Sequence, residues 1–266
     1  MLVLLPPSEG KATPGRGAAL RPDALSLPSL TPARTAVLTE LVELCAADAA
    51  KAREVLGLSE GLSAEVAKNA ALLTGPTRPA GEIYTGVLYD ALGLADLPPD
   101  ARRRARSSLL VCSGLWGAVR VQDRIPSYRC SMGVRLPGLG ALASHWREPL
   151  QAAIPEAAGS GPLLDLRSSA YTAAWKPQGE LAGRTATVRV LHARLVDGVE
   201  KRSVVSHFNK ATKGRLVRDL LISGARPKSP AALVETLREL GYQVEAEPPA
   251  RAGRAWSLDV VVSEIH

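Results

Sequence analysis

The chain has 266 residues, of which 46% are hydrophobic and 22% charged, and its formal net charge is +7. This composition is typical of a globular protein with a substantial core, and it excludes a disordered or fibrous chain. Aromatic residues make up only 4% of the chain, so Leu, Val and Ala must fill that core. The excess of positive charge favours an anionic partner.

The cysteines and the first residues predict the compartment. Three cysteines, an odd number without C-x-x-C spacing, argue against a disulfide framework and against a structural zinc site. The apolar run Met1–Leu5 ends at Pro6 and is far shorter than a membrane span. We therefore expect a cytoplasmic protein with no membrane partner. No cluster of His, Asp and Glu residues has the spacing of a metal site.

Hydrophobic periodicity predicts alternating strands and helices along the chain. The first long helix begins well, because Thr31 can cap it and Pro32 suits its first position. The predicted helices are Pro32–Leu56 with one break, Ser63–Leu73, Gly81–Leu92, Leu142–Ala153, His207–Ile222 and Pro230–Leu240. The predicted strands are Leu2–Leu5, Ser108–Ser113, Arg129–Leu136, Leu163–Leu166, Ala186–Val196, Ser203–Ser206, Tyr242–Glu247 and Ser257–Val262.

The second half of the chain has more strands than a simple βαβ alternation provides. Residues Ala186–Ser206 have the pattern of a hairpin that turns at Asp197-Gly198. This favours a mixed α/β fold with a mixed sheet over a doubly wound parallel one. Composition does not shift anywhere enough to mark a linker, so we expect a single compact domain over residues 1–266, with helices flanking the sheet.

The positive charge is concentrated towards the C-terminus. Between Lys201 and Lys228 there are eight basic residues and one acidic residue, a balance equal to the net charge of the whole chain. Several of these cations fall in the first half of the predicted helix that His207 opens, where the helix dipole already disfavours positive charge. The placement suggests that an anion binds there, and a solvated helix face is the alternative. A second basic set comprises Arg120, Arg124, Arg129 and Arg135.

Two loops that follow predicted strands are candidate sites. The turn Cys112–Gly117 has two glycines and lies where ligands bind in α/β folds, although it lacks G-x-S-x-G spacing and a plain β-turn is the alternative. The loop Pro6–Lys11 resembles half of a phosphate loop but lacks the G-x-x-x-x-G-K-[ST] spacing. Within it, Glu9 and Lys11 are either an acid–base pair or a surface ion pair.

Four motifs in this order resemble the YaaA family of peroxide-stress proteins, and the resemblance covers essentially the whole chain. They are LVLLPPSEGK at Leu2–Lys11, GEIYTGV at Gly81–Val87, SGLWGAVRVQDRIPSYRCSMG at Ser113–Gly133 and SHFNKATKGRLVRDLL at Ser206–Leu221.

The resemblance implies a compact mixed α/β domain with a positively charged cleft, binding of DNA, and protection of DNA against peroxide and iron damage. It implies no settled catalytic activity. The family's motifs fall on Ser8, Glu9 and Lys11 near the N-terminus, on Tyr84, Ser113, Gly114, Arg120, Tyr128 and Arg129 in the centre, and on Lys210, Lys213, Arg215 and Arg218 near the C-terminus.

Two functions from different classes follow from these residues. The first is a DNA-binding protein that contacts phosphate without reading sequence. The rings of Tyr84 and Tyr128 would stack on a base if they are exposed, and packing in the core is the alternative for either. The predicted contacts of the DNA-binding protein are Lys210, Lys213, Arg215, Arg218, Arg120, Arg129, Tyr128 and His207. The second is an enzyme acting on a nucleotide, nucleoside or nucleobase, with its predicted catalytic groups on Ser8, Glu9, Lys11, Tyr84 and Ser113. The expected partner is duplex or branched DNA, or a phosphate-bearing nucleotide, and neither hypothesis calls for a cofactor or a metal.

Overall fold

The computed structural model describes residues 1–196, 199–204 and 206–263, without the side chains of residues 195, 196, 199, 200, 206 and 207. Within those residues the chain forms a mixed eight-stranded sheet with helices packed around it. This confirms the predicted α/β class. The strands are β1 (Leu2–Leu5), β2 (Arg78–Pro79), β3 (Leu109–Ser113), β4 (Gly117–Arg120), β5 (Arg124–Ile125), β6 (Arg135–Leu136), β7 (Gly140–Ala141), β8 (Leu163–Asp165), β9 (Thr185–Val196), β10 (Val199–Ser203), β11 (Gln243–Glu247) and β12 (Trp256–Val262).

The described part of the chain contains twelve α-helices, several of which are single turns. They are α1 (Thr31–Ala47), α2 (Ala49–Leu56), α3 (Ala64–Ala70), α4 (Ala80–Ile83), α5 (Val87–Leu92), α6 (Pro99–Ser108), α7 (Leu142–His145), α8 (Arg147–Ala158), α9 (Ser169–Thr172), α10 (Gly179–Gly183), α11 (Ser206–Ser223) and α12 (Pro230–Glu239).

The main sheet has the order β11-β12-β9-β8-β1-β3-β4, and β10 pairs with the later part of β9. The five inner strands from β12 to β3 are parallel, whereas β4 and β11 are antiparallel edge strands. Every residue of β1, β3 and β8 is buried, which is why these strands are apolar up to their last residues, where β3 ends in Ser113 and β8 in Asp165. The first strand of the chain therefore lies in the middle of the sheet.

The predicted hairpin in the second half is confirmed, because β9 and β10 pair antiparallel with Val199 opposite Val196. The turn itself, Asp197-Gly198, lies outside the described residues. The predicted strand Ser203–Ser206 is wrong: β10 ends at Ser203 and α11 begins at Ser206. The predicted break in the first long helix occurs at Asp48, whose carboxylate accepts the backbone N–H groups of Ala50 and Lys51.

Three further local predictions differ from the structure. Thr31 does not cap α1, because its backbone is already helical and the helix continues from a 3₁₀ turn at Pro28–Leu30. The segment predicted as one helix at Gly81–Leu92 is divided into α4 and α5, with Gly86 at a φ of 92° between them.

The predicted strand Arg129–Leu136 is mostly irregular, and only Arg135–Leu136 pairs, with β7. At its start the backbone of Arg129 is bound by the Asn69 side chain, whose amide donates to the Arg129 carbonyl at 2.8 Å and accepts from its N–H at 2.9 Å. A side chain thus satisfies the backbone groups that a neighbouring strand would otherwise pair.

Candidate functional site

An open cavity of about 650 Å³ lies at the carboxyl ends of β1 and β8. These two strands are neighbours in the sheet, but the chain leaves β1 towards β3 on one side and leaves β8 towards β9 on the other. In open α/β sheets ligands bind in the crevice at such a reversal of strand order. The volume is that of a small-molecule or single-nucleotide site.

The walls of the cavity come from five separate segments of the chain. Two are the loops that directly follow β1 and β8, and the third is the segment that leads into α5. The fourth is the early part of β9, and the fifth is the first half of α11 with Val204 just before it. The polar side chains among them are those of Ser8, Glu9, Thr85, Tyr89, Arg167, Ser168, Ser169, Tyr171, Arg189, Asn209, Lys210 and Lys213.

Lys210 and Lys213, both predicted from sequence, line this cavity from one face of α11. Lys210 is exposed, whereas Lys213 is half-buried and its Nζ lies 3.4 Å from the Leu166 carbonyl oxygen. Burial lowers the pKa of Lys213 and nearby Asp165 opposes that effect. Among the described residues, neither amine has a carboxylate within 4.0 Å. The two lysines are therefore cations available to a ligand.

Arg167, which also lines the cavity, belongs to a buried ion pair with Asp165. Arg167 donates to both carboxylate oxygens of Asp165, at 2.9 and 2.7 Å, and also to the carbonyls of Tyr171 and Trp175. Both side chains are almost fully buried, at 1% and 3% exposure. The pair ties the end of β8 to the segment around α9. It was missed in the sequence, although an acidic residue that ends an apolar strand, followed two positions later by Arg167, is the signal that would have found it.

The predicted catalytic residues converge on a second, adjoining group of contacts. The Lys11 amine lies 4.4 Å from the ring centroid of Tyr128 and 5.8 Å from that of Tyr84, and it donates to the Ser8 carbonyl at 3.0 Å. Ser8 and Glu9 line the cavity. The Glu9 carboxylate pairs with Arg129 at 2.8 Å, so it forms an ion pair with Arg129 in place of Lys11.

Behind the lysine, three hydroxyl groups form a buried chain. The Tyr128 hydroxyl lies 3.0 Å from that of Tyr84 and 2.6 Å from that of Ser113. Ser113 Oγ also accepts the backbone N–H groups of Leu115 and Trp116, which hold the turn between β3 and β4. Ser113 is fully buried, and its hydroxyl is committed to this turn. The Ser113 hydroxyl is therefore not in a position to act as a nucleophile on a ligand in the cavity.

The remaining predicted cations do not join one cleft. Arg218 donates to the carbonyls of Leu92 and Gly93 and so caps the end of α5. Arg120 donates to the Ser107 carbonyl at the sheet edge. Arg215 is exposed on α11 but does not line the cavity, and the His207 side chain lies outside the described residues.

The predicted stacking of Tyr128 on a base is wrong for this conformation, because its ring is 1% exposed. It packs edge-on against Trp116 and Tyr84 in the core, with ring centroids 5.9 and 6.5 Å away. Burial raises the pKa of Tyr128 well above its ordinary value.

In the described residues, no three side chains of the metal-ligating types His, Cys, Asp and Glu form a group that could hold a metal ion. No helix in that part of the chain is long and apolar enough to span a membrane.

Comparison with known proteins identifies the relatives of this chain. A family described as peroxide stress protein YaaA matches residues 1–248. A UPF0246 protein of Streptomyces coelicolor is 71% identical over 266 residues, which are the whole of both chains. A UPF0246 protein of Corynebacterium efficiens is 40% identical over 98% of this chain and 100% of its own length. One from Corynebacterium glutamicum is 38% identical over 93% of this chain and 96% of its own. The chain is therefore a member of the peroxide stress protein YaaA family.

Proposed function

We propose that the protein binds DNA through its phosphate groups at the mouth of this cavity and thereby limits oxidative damage to DNA during peroxide stress. Membership of the family supports the role in peroxide stress. The observation that carries the DNA part is the pair Lys210 and Lys213, two cations that line an open cavity without carboxylate partners among the described side chains. Phosphate contacts of this kind hold DNA without reading its sequence.

The number of lysines that line the cavity also determines how strongly we expect DNA affinity to depend on salt concentration. Each phosphate that a cation neutralises contributes about −0.9 to the slope of log affinity against log salt concentration. Six phosphate contacts across a wide cleft would give a slope of about −5, whereas contacts by the two lysines of the cavity would give a slope of about −2. We therefore expect weak binding with a shallow salt slope, measured by fluorescence anisotropy of a labelled duplex between about 20 and about 200 mM salt.

The double variant Lys210→Ala/Lys213→Ala is expected to remove most of that slope, bringing it to near zero. The matched control is Lys51→Ala/Lys228→Ala, which removes two exposed lysines that lie outside the cavity and so makes the same change in net charge. The control should keep the slope of the unmodified protein. Equal losses in both variants would mean that the overall charge, and not the cavity, holds the DNA.

A second candidate function is an enzyme acting on a nucleotide, nucleoside or nucleobase. The observation that favours it is the contact of Lys11 with Ser8, Tyr84 and Tyr128 beside a cavity of nucleotide size. A mononucleotide held by Lys213 should raise the melting temperature of the protein, since it binds only the folded state. We expect this shift to disappear in Lys213→Ala and to survive at salt concentrations that abolish duplex binding. No shift with any nucleotide, nucleoside or nucleobase would remove this candidate.

A further inference from the structure

A second cavity, of about 330 Å³, lies at the amino end of β1. Its walls are Met1 and Val3, the C-terminal part of α6, and the second half of α11 with the segment that follows it. The candidate site described above lies at the carboxyl end of the same strand. The two cavities are therefore separate and lie at opposite ends of β1, and α11 contributes to both.

Most of the wall of this second cavity is apolar. Val3, Val217, Leu220 and Leu221 line it, and none of its lining residues is acidic. The hydroxyl groups of the two lining serines both donate to the Arg104 carbonyl, at 3.0 and 2.6 Å, and so hold the last turn of α6. The remaining polar side chains are two arginines, which makes the cavity apolar inside and positively charged.

The two arginines lack a carboxylate partner. Arg104 is half-buried, and its Nε and Nη2 donate to the Leu221 and Ile222 carbonyls at 2.7 and 3.3 Å, while its Nη1 has no hydrogen-bond partner among the described residues. Arg226 is exposed, and in the same part of the chain no carboxylate lies within 4.0 Å of either guanidinium. Burial lowers the pKa of the Met1 amine and Arg226 lowers it further. The charge of Arg226 is thus felt at the opposite wall of the cavity.

The end of α11 offsets this charge only in part. The C-terminus of a helix carries the equivalent of about half a negative charge, whereas the two guanidinium groups carry two positive ones. A concave apolar surface with a few convergent charged groups is the usual form of a small-molecule site. Guanidinium groups bind carboxylate and phosphate groups through paired hydrogen bonds.

We propose that this cavity binds a small organic anion, namely a carboxylate or phosphate group on a short apolar body. The anionic group pairs with Arg104 and Arg226, and the apolar body covers Val3, Val217 and Leu220. An inorganic ion gains nothing from those apolar walls, so both parts of the ligand are required. This site is independent of the DNA site of the proposed function, since the two share no lining residue.

The test follows the backbone amide resonances of the isotope-labelled full-length protein by nuclear magnetic resonance while phenyl phosphate or hexanoate is added. We expect saturable shifts of the amides of Leu220, Leu221 and Ala225, with dissociation constants in the millimolar range that ligands of this size usually reach. Inorganic phosphate and phenol carry only the charge or only the ring. Each should bind at least about tenfold more weakly than phenyl phosphate.

Two variants and one control test the assignment. Arg226→Met removes an exposed charge and should weaken binding about fivefold, the upper end for an exposed charge pair. Ala225→Leu places a larger side chain at the cavity wall and should weaken binding without any change in charge. Lys228→Met makes the same change in charge as Arg226→Met at an exposed residue that lines neither cavity, and it should leave binding unchanged.

The outcomes distinguish the ligand classes and the two cavities. Binding of phenyl phosphate alone assigns the ligand to the phosphate esters, binding of hexanoate alone assigns it to the carboxylates, and binding of both assigns the cavity to either anion. The absence of saturable shifts with both probes overturns the proposal, as does inorganic phosphate that binds as tightly as phenyl phosphate. Shifts confined to Ser8, Glu9 and Gly10 place the probes in the larger cavity and also overturn it. Equal effects of Arg226→Met and Lys228→Met mean that the overall charge attracts the probes, which overturns it as well.

Discussion

Replacing Asp165 by Asn is expected to destabilise the folded protein by about 3–5 kcal/mol, because it leaves the buried Arg167 guanidinium without its counter-charge. The Arg167 guanidinium makes two hydrogen bonds to this carboxylate, the Arg167 backbone N–H makes a third, and both side chains are almost fully buried. The Asn side chain preserves the shape of the site but accepts at one oxygen only and carries no charge. The measurement is the free energy of unfolding from urea denaturation, followed by circular dichroism.

The variant Arg167→Met completes a double-mutant cycle for this pair. Once the guanidinium is gone, the neutral amide introduced by Asp165→Asn no longer faces an unpaired charge, so the double variant should cost clearly less than the sum of the two single variants. It should still be less stable than the unmodified protein, since the carbonyls of Tyr171 and Trp175 lose their donor. Simple additivity of the two single changes would contradict the ion pair.

Gly214→Ala is expected to destabilise the protein by about 2 kcal/mol, although Ala is the better helix former by about 1 kcal/mol. A Cβ atom at position 214 would overlap the Leu88 carbonyl oxygen and lie 2.9 Å from Ala91 Cβ, so α11 would have to move away from α5. The same movement would shift Lys213, which is the preceding residue of α11. We therefore expect weaker duplex binding together with the lower stability.

Gly183→Ala is the matched control for this substitution. Gly183 ends the short helix α10, and a Cβ built on it meets no atom within 4 Å. Its replacement should leave the unfolding free energy unchanged or slightly higher. A Gly214→Ala variant that gained stability in the same assay would show that α11 and α5 do not pack closely at this point.

The sequence predicted those parts of the fold that depend on short-range patterns. The apolar runs of β1, β3 and β8 are bounded by Pro, Gly or Ser residues and are completely buried, as their composition indicates. The segment from Arg129 was not predictable in this way, because its backbone groups are satisfied by Asn69, a residue 60 positions earlier in the chain. The hydrophobic pattern of residues 129–136 depends only on those residues, so it could not show that Asn69 binds the Arg129 backbone.

The candidate site was predictable to a similar degree. Polar residues directly after strands, such as Ser8 and Glu9, were expected to meet at one edge of the sheet, and they line the cavity. The charge on α11 was correctly located, but charge alone does not show which face of a helix is covered. Arg218 reaches the end of α5, whereas Lys213 reaches the cavity, and only the packing of α11 separates these roles.

The central place of β1 in the sheet has a consequence for how the protein is made. Leu2–Leu5 pairs with strands whose residues begin at Leu109 and Leu163, so its partners are synthesised much later than the strand itself. At ordinary translation rates this apolar segment waits on the order of ten seconds for its second neighbour. Closing such long loops also slows folding. The emerging chain must therefore keep a strongly hydrophobic strand from self-association until its middle third has left the ribosome.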